Sequence, residues 1–149
     1  MDPIGASPDW RWKGYSTSWV EVNSTRMQSV TGGGHWGGGL FISAEDHAKF
    51  GQFISQNGAW NGEQILPENW MQQSLTPTPT LDKYGFLWWL NRGAEADPTL
   101  PETAFSAQGA GGHTIWIAPE QEIVAVMRWL APTATPPFLR RLFAALTES

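Results

Sequence analysis

The stretch AFSAQGAGGHTIWIAPEQEIVAVMRWL, residues Ala104–Leu130, decides the fold predicted for this chain. It reads as an apolar strand, a glycine-rich turn, a second apolar strand, a Pro-Glu turn and a third strand. The third segment, Ile123–Met127, is an unbroken apolar run typical of a strand buried on both faces. We therefore expect these strands at the centre of a sheet.

Three glycines follow the first of these strands, Gly109, Gly111 and Gly112. Glycine permits unusual dihedral angles and the close approach of another chain or a ligand. A buried sheet with an uncovered backbone rim is one way to build a binding edge, and the same pattern also turns an ordinary hairpin. The pattern alone does not separate these interpretations.

Composition excludes several classes of protein. With 149 residues, 15% of them charged, and a net charge of −5, the chain is long enough for a single folded domain, 1–149, and is not a disordered tail. Its nine Lys and Arg residues are scattered, which argues against a nucleic-acid groove. We expect no membrane span and no signal peptide, and the compartment, cytoplasmic or periplasmic, stays open.

The residues that hold metals or form disulfides are scarce. There is no cysteine, and the three histidines, His35, His47 and His113, lack metal-ligand spacing. We therefore predict neither a metal site nor a cofactor. The ten tryptophans are unusual. They fill large cores or line grooves for sugars, acyl chains and aromatic ligands, and packing is the favoured interpretation.

Glycine, proline and asparagine residues indicate the turns and loops that divide the rest of the chain. Met1–Trp19 is expected to be a loop, and Ser18–Val30 could form a short edge strand. Thr31–Gly39, TGGGHWGGG, is expected to be a tight loop in which His35 is a local hydrogen-bonding residue. The Lys-Ser/Thr ending of a phosphate loop is absent there.

Helix signals are clearest after this loop. Ser43 is a good N-cap and Asn57-Gly58 a stop, so Ala44–Gln56 should be an amphipathic helix. Three further segments are predicted: a short helix beginning at Pro67, a dense aromatic strand over Tyr84–Asn91, and a terminal amphipathic helix over Pro137–Leu146.

Motifs for nucleophilic catalysis are missing from the 149 residues. Neither Gly-x-Ser-x-Gly nor Ser-x-x-Lys occurs. Thr80-x-x-Lys83 is a formal near miss in a proline-rich loop. The residues alone therefore indicate a scaffold with a possible binding rim and no catalytic residues in this chain.

Three segments together carry a resemblance. They are GGGHWGGGLFISAEDHAKFGQFISQNGAWNGEQILPENWMQQSL (32–75), YGFLWWLN (84–91) and QGAGGHTIWIAPEQEIVAVMRW (108–129). In this order they resemble the C-terminal part of the beta-lactamase-related serine hydrolases, the group of class C beta-lactamases, related esterases and DD-peptidases. The resemblance implies an α/β fold of the α+β type, an antiparallel sheet flanked by helices. It also implies that the nucleophilic Ser, its Lys and a Tyr are carried by sequence that this chain lacks.

In that family, a third motif, Lys- or His-Thr/Ser-Gly, lies on the strand that edges the site. It maps to Ala107-Gln108-Gly109, where only Gly109 agrees. The resemblance implies that the backbone N–H of Ala110 completes an oxyanion hole, which a side-chain change leaves intact. His113 could add a polar contact, although it is more simply placed pointing off the returning strand. Loss of the cation shifts the expected substrate towards small-molecule esters or amides with little need for a carboxylate clamp.

Two functions follow from the residues and the resemblance. The first is a segment of a serine hydrolase that supplies the substrate strand with Gln108, Gly109, Ala110 and His113. The alternative is a non-catalytic, Trp-rich binding module on the same sheet. Apolar strands at Ile123–Met127 and Phe86–Leu90 would be exposed without further helices. We therefore expect self-association or binding to a missing N-terminal half.

Overall fold

A computed structural model shows how these segments pair, and it describes residues 1–28, 38–94 and 97–147. The strands in these ranges are β1 (Arg11–Gly14), β2 (Trp19–Val22), β3 (Thr25–Gln28), β4 (Gly38–Phe41), β5 (Ala59–Trp60), β6 (Glu63–Gln64), β7 (Trp89–Leu90), β8 (Phe105–Gly109), β9 (His113–Ala118) and β10 (Ile123–Met127). The α-helices are α1 (Ala44–Ser55), α2 (Glu68–Ser74) and α3 (Thr135–Thr147).

One antiparallel sheet of four strands organises the chain, in the order β10-β9-β8-β7. β9 pairs along its length with β8 on one side and with β10 on the other. Three two-stranded ladders join β1 to β4, β2 to β3 and β5 to β6. The expected fold class, an antiparallel sheet flanked by helices, is confirmed.

Two helices cover opposite faces of the four-stranded sheet. On the α1 face, Ile115 and Ile117 belong to one buried cluster with Phe53. On the α3 face, Trp116 belongs to a second cluster with Leu139. Alternate residues of β9 thus point into different cores, as the two-residue period of a strand requires. The sheet is the middle layer of three.

Helix α1 forms where its capping residues predict it. The Ser43 side chain accepts a hydrogen bond from the Asp46 N–H at 3.0 Å, which satisfies a free backbone donor of the first turn. The Asp46 carboxylate also accepts bonds from the Ser7 N–H and hydroxyl, at 3.0 and 2.5 Å, and from Lys49 at 3.2 Å. The Ser7 hydroxyl bond, above all, lowers the pKa of Asp46. These bonds fasten the N-terminal segment to α1.

The first forty residues contain more strand than their turn residues predict. Met1–Trp19 is not all loop, because it holds a 3₁₀ turn at Asp2–Ile4 and strand β1. The partner of β1 is β4, which a local pattern does not show. The single edge strand expected within Ser18–Val30 is a hairpin, β2–β3. Its turn residues Asn23 and Ser24 both have positive φ, as tight two-residue hairpin turns require.

The loop expected at Thr31–Gly39 lies largely outside the described residues. Residues 31–37, which include His35, are not described, whereas the last two glycines, Gly38 and Gly39, belong to β4.

Three further expectations are corrected. In Tyr84–Asn91 only Trp89–Leu90 is strand, because Leu87 takes a left-handed φ of 66°. In α3 the expected apolar face is narrower, since Phe138 is 45% exposed while Leu139 is 5% exposed. Strand β10 has side chains in both cores, as expected of a strand covered on both faces, but it lies at the edge of the sheet rather than at its centre.

Candidate functional site

The outer edge of β8 is uncovered at its C-terminal end. β7 pairs with β8 only at Trp89↔Ser106 and Leu90↔Phe105. In the part of the chain that the structure describes, no strand adjoins Ala107, Gln108 or Gly109 on that side. Such an edge offers backbone donors and acceptors to an extended ligand.

A three-residue turn continues this edge into β9. Gly109 pairs with His113 at the close of the ladder, and Ala110, Gly111 and Gly112 form the turn. A Cβ at Gly112 would overlap the carbonyl oxygen of Leu130, so the chain passes there at a distance that only glycine allows. We call Ala107–Gly112 the rim, and its residues Gln108, Gly109 and Ala110 are exposed.

Side chains of the rim point to different layers. Ala107 packs against the α1 core. Gln108 lies on the α3 face, where its Nε2 donates to the Ser106 hydroxyl at 3.1 Å. Ala107, where the resemblance expects a cation, therefore faces the core below α1. Gln108, where it expects Thr or Ser, faces α3. Gly109 and Ala110 present backbone only, apart from one methyl group.

His113 stands beside the turn and is half-buried. Its ring meets that of Trp129 edge to face, with centroids 4.4 Å apart. Trp129 is 79% exposed and has a φ of 60°, which is rare for a bulky residue. It is held near the turn, because the Leu130 N–H donates to the Gly112 carbonyl at 3.2 Å. His113 and Trp129 thus form one wall of the rim.

A second group of polar side chains gathers under α1. Arg128 directly follows β10, whose last pair is Met127↔Thr114, and its Nη1 donates to the Ile42 carbonyl at 2.7 Å. Burial, then the positive charge of Arg128, lower the pKa of both His47 and His113. The Nδ1 atoms of both histidines and Nε of Arg128 are buried without a hydrogen-bond partner among the described residues. Sequence spacing does not reveal this group, since its members are far apart in the chain.

A cavity of about 170 Å³ opens on the other side of the rim, between β8 and the start of α3. Gln108 and Ser106 line it, as does Lys83, whose carbonyl accepts from the Leu90 N–H at 2.9 Å. In the sequence, Lys83 stands out only as the end of Thr80-x-x-Lys83, the near miss to a Ser-x-x-Lys motif. Its place beside the rim follows from the bridge Tyr84↔Trp89, which no residue pattern announces.

Within the described ranges, no three His, Cys, Asp or Glu side chains form a group that could hold a metal ion. In those ranges, none of the helices has the length and apolar character needed to cross a bilayer.

The sheet, its flanking helices and the open rim define an α+β protein with a candidate ligand-binding edge. Comparison with known proteins shows the same fold in a solved structure, a Bacillus anthracis protein provisionally named as a 6-aminohexanoate-dimer hydrolase. The TM-score is 0.55, the identity is 24%, and the match covers 75% of this chain and 30% of that one.

One curated protein also shares sequence with this chain. It is an uncharacterized protein of Alkalihalophilus pseudofirmus, 31% identical over 97 residues, which are 58% of this chain and 29% of that protein. No family model matches the chain. The chain thus spans less than a third of the length of either protein.

Proposed function

We propose that this chain forms the substrate-binding edge of a beta-lactamase-like serine hydrolase that cleaves esters or amides through an acyl-enzyme. The observation that carries the proposal is the uncovered edge of β8, which runs directly into the bare backbone of Ala110–Gly112. The fold shared with the Bacillus anthracis protein supports it.

The rim would act on the carbonyl group of the substrate. A serine hydroxyl attacks the carbonyl carbon, the alcohol or amine leaves with a proton, and water then releases the acid. Negative charge develops on the carbonyl oxygen during both steps. The Ala110 N–H is the proposed donor to this oxygen, and His113 is proposed as a wall of the site rather than as its base.

The nucleophile is proposed to lie on sequence other than residues 1–149, because this sequence has no Ser-x-x-Lys. The test begins with the 149-residue chain alone, incubated with nitrocefin and p-nitrophenyl esters. We expect neither a burst nor fluorophosphonate labelling. Serine-dependent turnover by this chain would overturn the assignment of the nucleophile.

The role of the rim is tested in the longest expressed product that contains these residues. Ala110→Pro removes the N–H and should lower kcat by about 10²–10³, the usual loss for one oxyanion donor. Ala110→Ser keeps the N–H and should stay within about threefold of the original kcat. Equal losses in both variants would refute the backbone role.

Exposed tryptophans favour the alternative, a non-catalytic binding module. Trp12, Trp19, Trp70 and Trp129 are each at least 47% exposed. If the full-length product is inactive and unlabelled by fluorophosphonate, whereas its tryptophan fluorescence responds to a glycan or ester panel, the binding module replaces the hydrolase.

Self-association, or pairing with a missing N-terminal half, is the proposed state of the isolated chain. The surface proposed to mediate this association is not the one expected from the sequence in full. Val124 and Val126 of β10 are half-buried against α1, whereas Phe86 and Leu87 are 52% and 69% exposed. Light scattering should show dimers or larger species at high concentration, and Leu87→Asn should reduce them. A stable monomer at millimolar concentration would contradict this expectation.

A further inference from the structure

The cavity beside Gln108 has walls that match a flat apolar group. Three residues form a row across the α3 face of the sheet, because Ser106 pairs with Trp89 on one side and with Trp116 on the other. Neighbouring strands lie about 4.8 Å apart, so the two indoles stand on backbones roughly 10 Å apart with a small serine between them. Thr135, Pro136 and Leu139 of α3 also line the cavity.

The volume of this space is suited to a single ring. It measures about 170 Å³. Dry protein cavities of about 150 Å³ are large enough to bind benzene. A group of six to nine heavy atoms would therefore fit in this cavity, which both indoles line.

Most polar groups of the lining are already occupied. The Asn91 side chain donates to the carbonyls of Asp97, Leu100 and Pro101 at 3.2, 3.1 and 2.9 Å. The Asp97 carboxylate accepts from Thr99 and, at 2.7 Å, from Nε of Arg140. The negative charge of Asp97 is thus offset by the positive charge of Arg140.

Two lining groups retain unused hydrogen-bonding capacity. Gln108 uses only its Nε2 in the bond to Ser106, and its Oε1 has no partner in the described part of the chain. Lys83 forms no ion pair within that part, is exposed, and is one of the residues that line the cavity. An ammonium group at the entrance of an apolar slot favours a ligand whose polar end is negative.

We propose that this cavity binds an aromatic or similarly compact carboxylate, with the ring between Trp89 and Trp116 and the carboxylate at Lys83 and Gln108. For the proposed hydrolase, on which this role rests, such a group would be one arm of the ester or amide substrate. Lys83 then supplies from a neighbouring loop the cation that the third motif lacks at Ala107. This proposal is the opposite of the preference expected from the sequence, which is for substrates with little need for a carboxylate contact.

The test measures binding in the 149-residue chain, without turnover. Benzoate is titrated against ¹⁵N-labelled protein, the indole N–H signals of Trp89 and Trp116 are followed, and equal concentrations of sodium chloride serve as the salt control. We expect both signals to move with a dissociation constant on the order of 1–10 mM, which is ordinary for so small a ligand. Benzamide, the neutral analogue, should bind about tenfold more weakly, because it gains no charge-assisted contact with Lys83.

Two lysine variants test whether the preference for benzoate depends on a lysine at the proposed site or on the net charge of the chain. Lys83→Met should bring the affinity for benzoate down to that for benzamide. Lys13→Met removes the same charge on β1 and should leave the tenfold difference intact. Ser106→Leu, which fills the space between the indoles, should abolish both signals' response, and the lysine variants decide the matter if Ser106→Leu does not fold.

Three results would overturn the proposal: no indole response to benzoate, equal affinity for benzoate and benzamide, or equal losses in the two lysine variants. Because none of these measurements needs catalysis, their failure would leave the role of Ala110 untouched. Conversely, an inactive full-length product with intact benzoate binding would refute the hydrolase and keep the cavity.

Discussion

Asp97 and Arg140 form an ion pair, with 2.7 Å between Oδ2 and Nε, that joins the loop before β8 to the middle of α3. The Asp97 side chain is 6% exposed and that of Arg140 is 53% exposed. Burial raises the pKa of Asp97, but the hydrogen bonds from Thr99 and Arg140 outweigh it and the pKa is lowered. The pair therefore helps to hold α3 over the benzoate-sized cavity.

Arg140→Met should lower the free energy of unfolding by about 1 kcal/mol, because a buried carboxylate loses a charged donor whose contribution solvent partly screens. Urea denaturation at pH 7 measures the change as a lower midpoint with an unchanged slope. Arg141→Met removes the neighbouring, exposed arginine and should cost less than about 0.5 kcal/mol. Equal effects of the two substitutions would show that the pair does not stabilise the fold.

Gly112→Ala should destabilise the chain strongly, whereas Gly62→Ala should not. Both glycines have positive φ, 75° and 82°, so both substitutions incur about 1 kcal/mol of left-handed strain. Only at Gly112 does the new Cβ overlap a neighbour, the carbonyl oxygen of Leu130, whereas nothing lies near Gly62. The expected additional loss is about 2 kcal/mol or more. Thermal unfolding of both variants checks it, and similar melting temperatures would contradict the close approach.

Stability should fall on mild acidification because of His47 and His113. Their pKa values in the folded chain are lowered from the ordinary 6.5, by burial and then by Arg128. The unfolded chain therefore binds more protons just below pH 6.5, and unfolding becomes easier as the pH drops. The contribution of the two neutral histidines to the free energy of unfolding is fully present above pH 6.5. Titration of the imidazole signals by NMR should give values below 6.5 for both residues.

The variant Arg128→Met separates charge from burial. Loss of the guanidinium should raise the pKa of both histidines towards the ordinary value, and the acid-side loss of stability should shrink. Unchanged histidine pKa values in Arg128→Met would show that burial alone lowers them.

Two carboxylates should cause a second loss of stability at lower pH. Asp46 and Asp97 both have pKa values lowered from the ordinary 3.8. Their contribution is present above that value and is lost as the pH falls below it, since protonation breaks the bonds from Ser7 and Arg140. Ser7→Ala should weaken the Asp46 component alone. Acid titrations of unfolding that coincide for Ser7→Ala and the original chain would contradict the role of the Ser7–Asp46 bonds.

Elements with local signals were predictable from the residues. The Ser43 cap and the Asn57-Gly58 stop give α1 almost to the residue, and the hairpin strands β8, β9 and β10 follow from apolar runs between turns. Pairing between distant segments was not predictable. Strand β1 depends on β4, and the frequent turn residues within Met1–Trp19 predict a loop instead.

In the site, the rim residues Gln108, Gly109 and Ala110 were predictable from the sequence, and whether they bind substrate stays a prediction. The residues that surround the rim were not predictable from the sequence. Lys83, Trp89 and Trp116 meet around one cavity because strands pair, and Arg128 reaches His113 for the same reason. These contacts depend on the pairing register of the strands, and the pattern of residues along one strand predicts that register only weakly.

The order of the four-stranded sheet has a consequence for how the chain acquires its structure. Strands β8, β9 and β10 are joined by turns of three and four residues, so their contacts are local along the chain. The ladder of β1 and β4 must instead close a loop across β2 and β3. Local contacts form first, since less chain entropy is lost before they are made. Pulse-labelled hydrogen exchange should therefore protect Ile115 and Val126 before Trp12, and the rim would be shaped before the N-terminal ladder exists.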